Sequence, residues 1–274
     1  SDFTMALGRV FMHSCYGYEG GYKMIVPGVA SFETILRDHS LNFSAASNYG
    51  SHRNNPSRRE ADEIGRLVGI DFCVNFVINY DQKPVAAFGG TCEAVFPAAI
   101  RKGQHDVWAD VSGELADITI LSADSEGDET LSNNPIYYLG LAAYVTKPDG
   151  IIIADLDYIP RDTNIVQGID LNEIEFSELI RLHERRDWNL PRREIQHAFK
   201  SIRGAFYYRR TFEMRSQQLF LACEFPKIRL VKWNAQSFAT MQEAVNAALS
   251  QKTDPTVLAI PEGAHTLPLV EYDY

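Results

Sequence analysis

Asp117-Ile-Thr-Ile-Leu-Ser122, Tyr137-Tyr-Leu-Gly-Leu-Ala-Ala-Tyr-Val145 and Gly150-Ile-Ile-Ile-Ala-Asp155 decide the fold. The first and last runs are short, apolar and rich in isoleucine, as strands inside a sheet are. The middle run has the length of a helix and no proline inside it. Strand, helix and strand in that order form the unit of a parallel sheet, whose crossover is right-handed. Later segments repeat the alternation. Helices are expected at Glu173–Arg185, Arg192–Ser201 and Met241–Ser250, and strands at Gln218–Cys223, Ile228–Lys232 and Val257–Ile260.

Upstream, Phe3–Val10 reads as a strand, Ser31–His39 as a short helix, and Ser57–Val68 as an amphipathic helix opened by a proline. Asp71–Asn79 is apolar enough to be buried on both faces. It is followed by a turn at residues 81–84 and a strand at Val85–Phe88, which makes a hairpin. Thr91–Lys102 reads as a helix, and Ser40–Asn55, rich in Ser and Asn, as a loop. The fold class is therefore α/β, with two regions of mixed or parallel sheet flanked by helices and a cleft between them. The division falls at 1–112 and 113–274, and ligands are expected at the carboxyl ends of strands.

The chain has 274 residues, 45% of them hydrophobic, and a formal net charge of −10. That length can bury a substantial core. The charge argues against nucleic acid, which needs a dense basic surface. Arg58-Arg59, Arg185-Arg186 and Arg192-Arg193 read as solvated helix faces, although Arg53, Arg58 and Arg59 could also meet an anionic phosphate. No secretory signal and no membrane-length apolar run is visible. The four cysteines at 15, 73, 92 and 223 show no paired spacing, so a reduced, cytoplasmic setting is expected.

The chemistry concentrates in His13-Ser-Cys-Tyr-Gly-Tyr-Glu-Gly-Gly-Tyr-Lys23-Met-Ile-Val-Pro-Gly28, followed by His39. A lysine can bond covalently to a carbonyl or acyl group, and histidines can ligate metal or move protons. Gly17, Gly20 and Gly21 permit positive φ and a close approach of backbone to a bulky ligand. Each residue alone also has an ordinary reading: a structural histidine, a surface lysine, a polar helix end, a plain turn. Cys15, two residues from His13, adds the alternative of a reactive thiol.

This arrangement resembles the nickel-pincer lactate racemase family. The resemblance runs from Leu7 to His13, through Gly17-Tyr18-Glu-Gly-Gly21, to Lys23 and Pro27-Gly28, with His13, Lys23 and His39 at the family's spacings. Weaker matches follow at Asn55-Pro56 with Arg59 and Glu60, at Gly69–Asn75, and at Ala259–Pro268. The resemblance implies an isomerase, a racemase or epimerase of 2-hydroxy acids working by reversible hydride transfer. Its cofactor would be a pyridinium-derived nickel-pincer nucleotide tethered to Lys23, with Tyr18, Gly20 and Gly21 lining it. His39 would complete the square plane of Ni(II), and His13 would be a catalytic acid/base. Asn134 and Tyr137 would face the substrate, where the family carries glutamine and lysine.

The family's N-terminal portion, with a second acid/base histidine, has no counterpart here, so a fragment or a missing partner chain is expected. The expected partner is a small 2-hydroxy acid or related molecule, with neither nucleic acid nor membrane involved. Two alternatives remain open: a non-catalytic ligand-binding α/β protein, and an enzyme whose Lys23 forms a Schiff base directly with a carbonyl substrate.

Other acidic and histidine groups carry less. Asp124, Glu126, Asp128 and Glu129 fit no EF-hand spacing and read as an exposed acidic turn. Asp155 and Asp157 follow a strand, where capping explains them equally well. His105, His183, His197 and His265 have no partner at ligand spacing, although His265 follows a strand, where clefts form.

Overall fold

A computed structural model describes residues 2–39, 41, 44, 46–79, 83–110, 114–122, 136–155, 216–222, 235–261 and 268–269. The polypeptide packs as two units, residues 1–112 with 266–274, and residues 113–265. The return of the last segment to the first unit departs from the division expected from sequence. It rests on a short parallel pairing of β12 (Pro268–Leu269) with β6 (Ala109–Asp110).

In the first unit, β1 (Met5–Val10) pairs in parallel with β4 (Phe72–Ile78), which pairs antiparallel with β5 (Pro84–Gly90). The β4–β5 hairpin is the one expected from sequence. Burial on both faces of β4 was not found. The strand alternates, and Phe72, Met5 and Leu7 are exposed on one side of the sheet. The inner side carries Cys73, which packs with Tyr22, Cys92 and Val95. Cys92 and Val95 belong to α3 (Cys92–Asp106), so this helix covers one face of the sheet only.

Two further helices frame the region between β1 and β4. α1 (Phe32–Asp38) is capped by Ser31, whose hydroxyl accepts the N–H of Thr34. α2 (Pro56–Val68) opens with a proline in its first turn and is capped by Asn55, whose Oδ1 accepts the N–H of Arg58. Its exposed Arg59 and Leu67 contrast with its buried Ala61 and Gly65. Gly65 is tight: a Cβ there would fall 2.5 Å from the Tyr22 ring.

The second unit is a five-stranded, all-parallel sheet in the order β10-β9-β8-β7-β11. Its strands are β7 (Ala116–Ser122), β8 (Thr146–Asp155), β9 (Gln218–Ala222), β10 (Ala235–Phe238) and β11 (Val257–Ile260). α4 (Ile136–Val145) crosses from β7 to β8, and α5 (Met241–Ser250) precedes β11. The isoleucine run explains the central position of β8. Ile151, Ile152 and Ile153 are fully buried, with Ile151 and Ile153 packed against Phe220 and the alanines of α5. Gln217 ties this sheet to α4 by donating to the carbonyls of Ala143 and Thr146, each at 2.9 Å.

The chain runs outward from β7 through β10, then returns to the other side of β7 as β11. That reversal at β7/β11 is a topological switch point of the kind at which open parallel sheets bind ligands. β10 was not anticipated from sequence. The strand expected at 228–232, both helices expected between 173 and 201, and the acidic turn at 124–129 lie outside the described residues. No helix among the described residues is long and apolar enough to cross a membrane.

Candidate functional site

Lys23 stands on a 3-10 turn, Gly21–Met24, that follows a two-residue hairpin in which β2 (Met12–His13) pairs with β3 (Gly17–Tyr18). The glycines make this path possible in a way sequence did not foresee. Gly20 and Gly21 have φ of +90° and +59°, and a Cβ on Gly21 would lie 2.5 Å from Nη2 of Arg58 and 3.1 Å from the Phe96 ring. A Cβ on Gly20 would lie 2.9 Å from Val10 and 3.0 Å from the carbonyl oxygen of Arg9. The close approach seen at these glycines is to the protein itself.

Arg58 is the main support of that turn. Its side chain is 1% exposed, it donates to the carbonyls of Gly20 (3.1 Å) and Tyr18 (3.4 Å), and its Nε is 2.9 Å from Oδ1 of Asp62. The guanidinium also stacks 3.7 Å over Phe96. Burial pushes its pKa down, and Asp62 opposes that shift. The expectation of a solvated Arg58, or of one contacting an anionic phosphate, is thereby replaced by a buried structural cation. Arg53 and Arg59 are exposed.

Two asparagines complete the frame. Asn75 on β4 accepts the N–H of Gly21 at 3.2 Å and donates to Gly8. Asn55 donates to the carbonyls of Cys15 (2.8 Å) and Ser51 (3.0 Å) while capping α2. Both are fully buried, so each holds the loop in place rather than offering a surface to a ligand.

Tyr16 brings the three candidate residues together. Its ring lies under Lys23, whose Nζ is 5.0 Å from the centroid. It meets the His13 ring edge-to-face at 5.2 Å and the His39 ring at 6.0 Å. Its hydroxyl donates a hydrogen bond to Oδ2 of Asp38. The sequence reading passed over Tyr16, although it stands inside the stretch quoted for the site. A tyrosine flanked by Cys and Gly carries no spacing signal of its own.

His39 caps the C-terminus of α1, and its Nδ1 is 3.0 Å from the same Asp38 oxygen and 3.4 Å from the Tyr16 hydroxyl. The hydroxyl gives its proton to Asp38 and an ionised carboxylate can only accept, so this arrangement calls for the proton on Nδ1 and the lone pair on Nε2. Asp38 is itself fully buried, and its Oδ1 has no hydrogen-bond partner among the described residues. Glu60, from α2, has its carboxyl pushed up by burial and then by the charge of Asp38.

His13 is set the other way. The backbone N–H groups of Cys15 (3.1 Å) and Tyr16 (3.3 Å) both point at its Nδ1, which must accept, so the neutral ring carries its proton on Nε2. Lys23 is partly buried, and burial pushes its amine below the ordinary lysine value. Glu19 opposes that shift and the Arg58 charge adds to it. Cys15 is buried, with its sulfur 3.4 Å from the Ser14 hydroxyl.

Tyr18, expected to line the cofactor loop, has no exposed surface. It stacks on Trp108 at 5.4 Å and its hydroxyl accepts from Gln104 at 3.0 Å, so it supports the loop from within. His105 is exposed beside Asp106. Among the described residues no three His, Cys, Asp or Glu side chains form a metal cluster.

Part of the chain is similar to a known family. Residues 1–53, which contain His13, Lys23, Tyr16 and His39, match the lactate racemase N-terminal domain. Over this part of the chain the similarity is to lactate racemases. The chain is 34% identical over 126 residues to the lactate racemase of Thermoanaerobacterium thermosaccharolyticum, covering 44% of this chain and 29% of that protein. With the lactate racemase of Lactiplantibacillus plantarum it shares 28% identity over 126 residues, covering 45% of this chain and 28% of that one. The matched stretch thus spans less than a third of either curated relative.

The fold agrees over a longer range. The structure of the lactate racemase apoprotein from T. thermosaccharolyticum superposes with a TM-score of 0.77 at 20% identity, over 99% of this chain and 63% of that one. A structure of a Thermotoga maritima protein superposes at 0.61 and 15% identity, over 97% and 66% of the respective chains. Tyr137 falls in the first turn of α4. Asn134 and His265 lie outside the described residues.

Proposed function

We propose that this chain carries the cofactor-tethering site of a nickel-dependent, lactate-racemase-like racemase or epimerase acting on a small 2-hydroxy acid. The observation that supports this reading is the convergence of Lys23, His39 and His13 on Tyr16. Residues 1–112, with 266–274, would form the tethering region and residues 113–265 the distal one, with Asn134 and Tyr137 facing the substrate.

The residues fit such a group. An amine forms a covalent acyl bond only when neutral, and burial of Lys23 favours that form. Histidines that bind metal commonly donate their other ring nitrogen to a carboxylate, as His39 does to Asp38. Lys23 would hold the nickel-pincer nucleotide covalently, and Nε2 of His39 would ligate Ni(II), an imidazole suiting that ion. When bound, the group would supply reversible hydride acceptance at the 2-carbon of the substrate. His13 would hydrogen-bond the substrate 2-oxygen through its Nε2–H. Proton exchange at that atom requires the two contacts on Nδ1 to open, so the turn at residues 13–16 would take part in the acid/base step. Gly20 and Gly21 would place the tether through their fit against Arg58, and Tyr18 would brace it.

The experiment is to produce the chain together with the enzymes that build the cofactor, then measure nickel content and 2-hydroxy-acid racemisation. Nickel bound at one per chain and lost in His39→Ala is the expected result. The lowered amine of Lys23 favours a second reading, Schiff-base chemistry on a carbonyl substrate. Borohydride trapping of substrate on Lys23, with no nickel bound, would select it. A ligand-binding protein without turnover would show neither.

A further inference from the structure

Asp38 lies between the Tyr16 hydroxyl and the His39 ring, fully buried, at the end of a helix whose next residue is His39 itself. Neighbouring residues on a helix point some 100° apart, so their side chains do not ordinarily meet. Here they meet at the last turn of the helix, where Nδ1 of the imidazole lies 3.0 Å from the carboxylate and 3.4 Å from the Tyr16 hydroxyl. The carboxylate is fixed in turn from the hairpin side by Tyr16, which comes from 22 residues earlier in the chain. The ring could rotate about its side-chain bonds, and the tautomer could exchange, without these two contacts. With them, the arrangement calls for the proton on Nδ1 and the lone pair on Nε2.

We propose that Asp38 is the positioning residue of His39, held by the Tyr16 hydroxyl, and that it commits Nε2 of the imidazole to metal ligation. The metal part of this statement rests on the reading of His39 as the nickel ligand; the tautomer does not. Tyr16 then has two tasks with separable parts. Its hydroxyl sets the histidine through Asp38, and its ring forms the floor under Lys23. The covalent tether and the metal ligand are thereby registered on one side chain.

Nitrogen-15 NMR of the labelled imidazoles tests this on the full chain without cofactor, with His39 assigned by loss of its signals in His39→Gln. At a pH where the imidazoles are neutral, Nδ1 of His39 is expected to give a protonated, pyrrole-type signal and Nε2 a bare, pyridine-type signal. Asp38→Asn, which keeps the shape and weakens the acceptor, is expected to move the ring toward the Nε2–H form. Tyr16→Phe is expected to keep Nδ1 protonated through Asp38 while broadening the signals as the carboxylate loses one support. A wild-type ring protonated at Nε2 overturns the proposal. So does a tautomer that stays the same in both Asp38→Asn and Asp38→Ala.

Nickel release from the loaded chain separates this proposal from the function it rests on. Release is expected to be roughly 10- to 100-fold faster in Asp38→Asn, the usual effect of removing an outer partner of a metal-bound histidine. A shifted tautomer with no nickel bound by either protein would keep Asp38 as the partner of His39 and refute its role toward a metal. Nickel release at the wild-type rate with an unchanged tautomer would refute the positioning role and leave the nickel site standing.

Discussion

The amine of Lys23 lies 5.0 Å above the centre of the Tyr16 ring, with Arg58 behind the turn that carries it. The ring face is the only partial compensation an aromatic can offer a cation, and burial outweighs it: the amine is pushed below the ordinary lysine value. Between that lowered value and about 10.4, where a lysine in an unfolded chain titrates, the unfolded state binds the extra proton. Folding stability contributed by this group therefore rises with pH across that window. Lys23→Met removes the dependence. Its stability relative to the parent chain is expected to be greatest near neutral pH and to shrink as the pH climbs toward the lysine range. Urea denaturation of both proteins across pH measures this, and a constant difference would contradict a desolvated Lys23.

Gly17 and Gly69 both have positive φ, +74° and +82°, but their surroundings differ. A Cβ on Gly69 meets nothing within 4 Å, whereas one on Gly17 would lie 1.8 Å from the carbonyl oxygen of Ser51. Gly69→Ala is expected to cost only the backbone strain, about 1–3 kcal/mol. Gly17→Ala must also displace the 50s loop from the hairpin, so it should cost distinctly more and disturb His13, which pairs with Gly17. Denaturant midpoints for the two variants give the comparison.

Replacing Arg58 by Met leaves Asp62 without its cation and the carbonyls of Gly20 and Tyr18 without their donor. Removing one partner of a buried ion pair costs about 3–5 kcal/mol. The 22% exposure of the Asp62 side chain puts the expected value toward the lower end of that range. Arg58→Lys is expected to recover little, because an ammonium cannot reach Asp62 and two carbonyls from one planar fork. Full recovery by lysine would show that charge alone matters there.

The parts of the fold visible in the sequence were those with strong periodicity and clear ends. Met241–Ser250 and Val257–Ile260 were anticipated to the residue, and the isoleucine run lies at the middle of the parallel sheet. β10, Ala-Gln-Ser-Phe, escaped notice because four residues with two polar ones carry neither alternation nor a continuous apolar run. β4 was apolar enough to suggest two covered faces, but composition cannot say that one face stays open.

In the candidate site, the spacing of His13, Lys23 and His39 was legible and their common neighbour was not. Tyr16, Asp38, Arg58 and Asn55 act through contacts 22 to 40 residues apart in sequence. The adjacency of Asp38 and His39 was on view in Arg37-Asp-His39, yet side chains next to each other on a helix diverge, so nothing in the pattern indicated that they pair. The glycines were read correctly as positions needing positive φ. What they approach, Arg58 and Phe96, required the fold.

The central claim, that Lys23 is a tether, is tested most directly by peptide mass spectrometry of the chain made together with the cofactor-building enzymes. The account predicts a mass adduct on the peptide containing Lys23, absent from Lys23→Ala and retained in His39→Ala, which loses only nickel. An unmodified Lys23 peptide, from a culture in which a known lactate racemase becomes fully loaded, would contradict it.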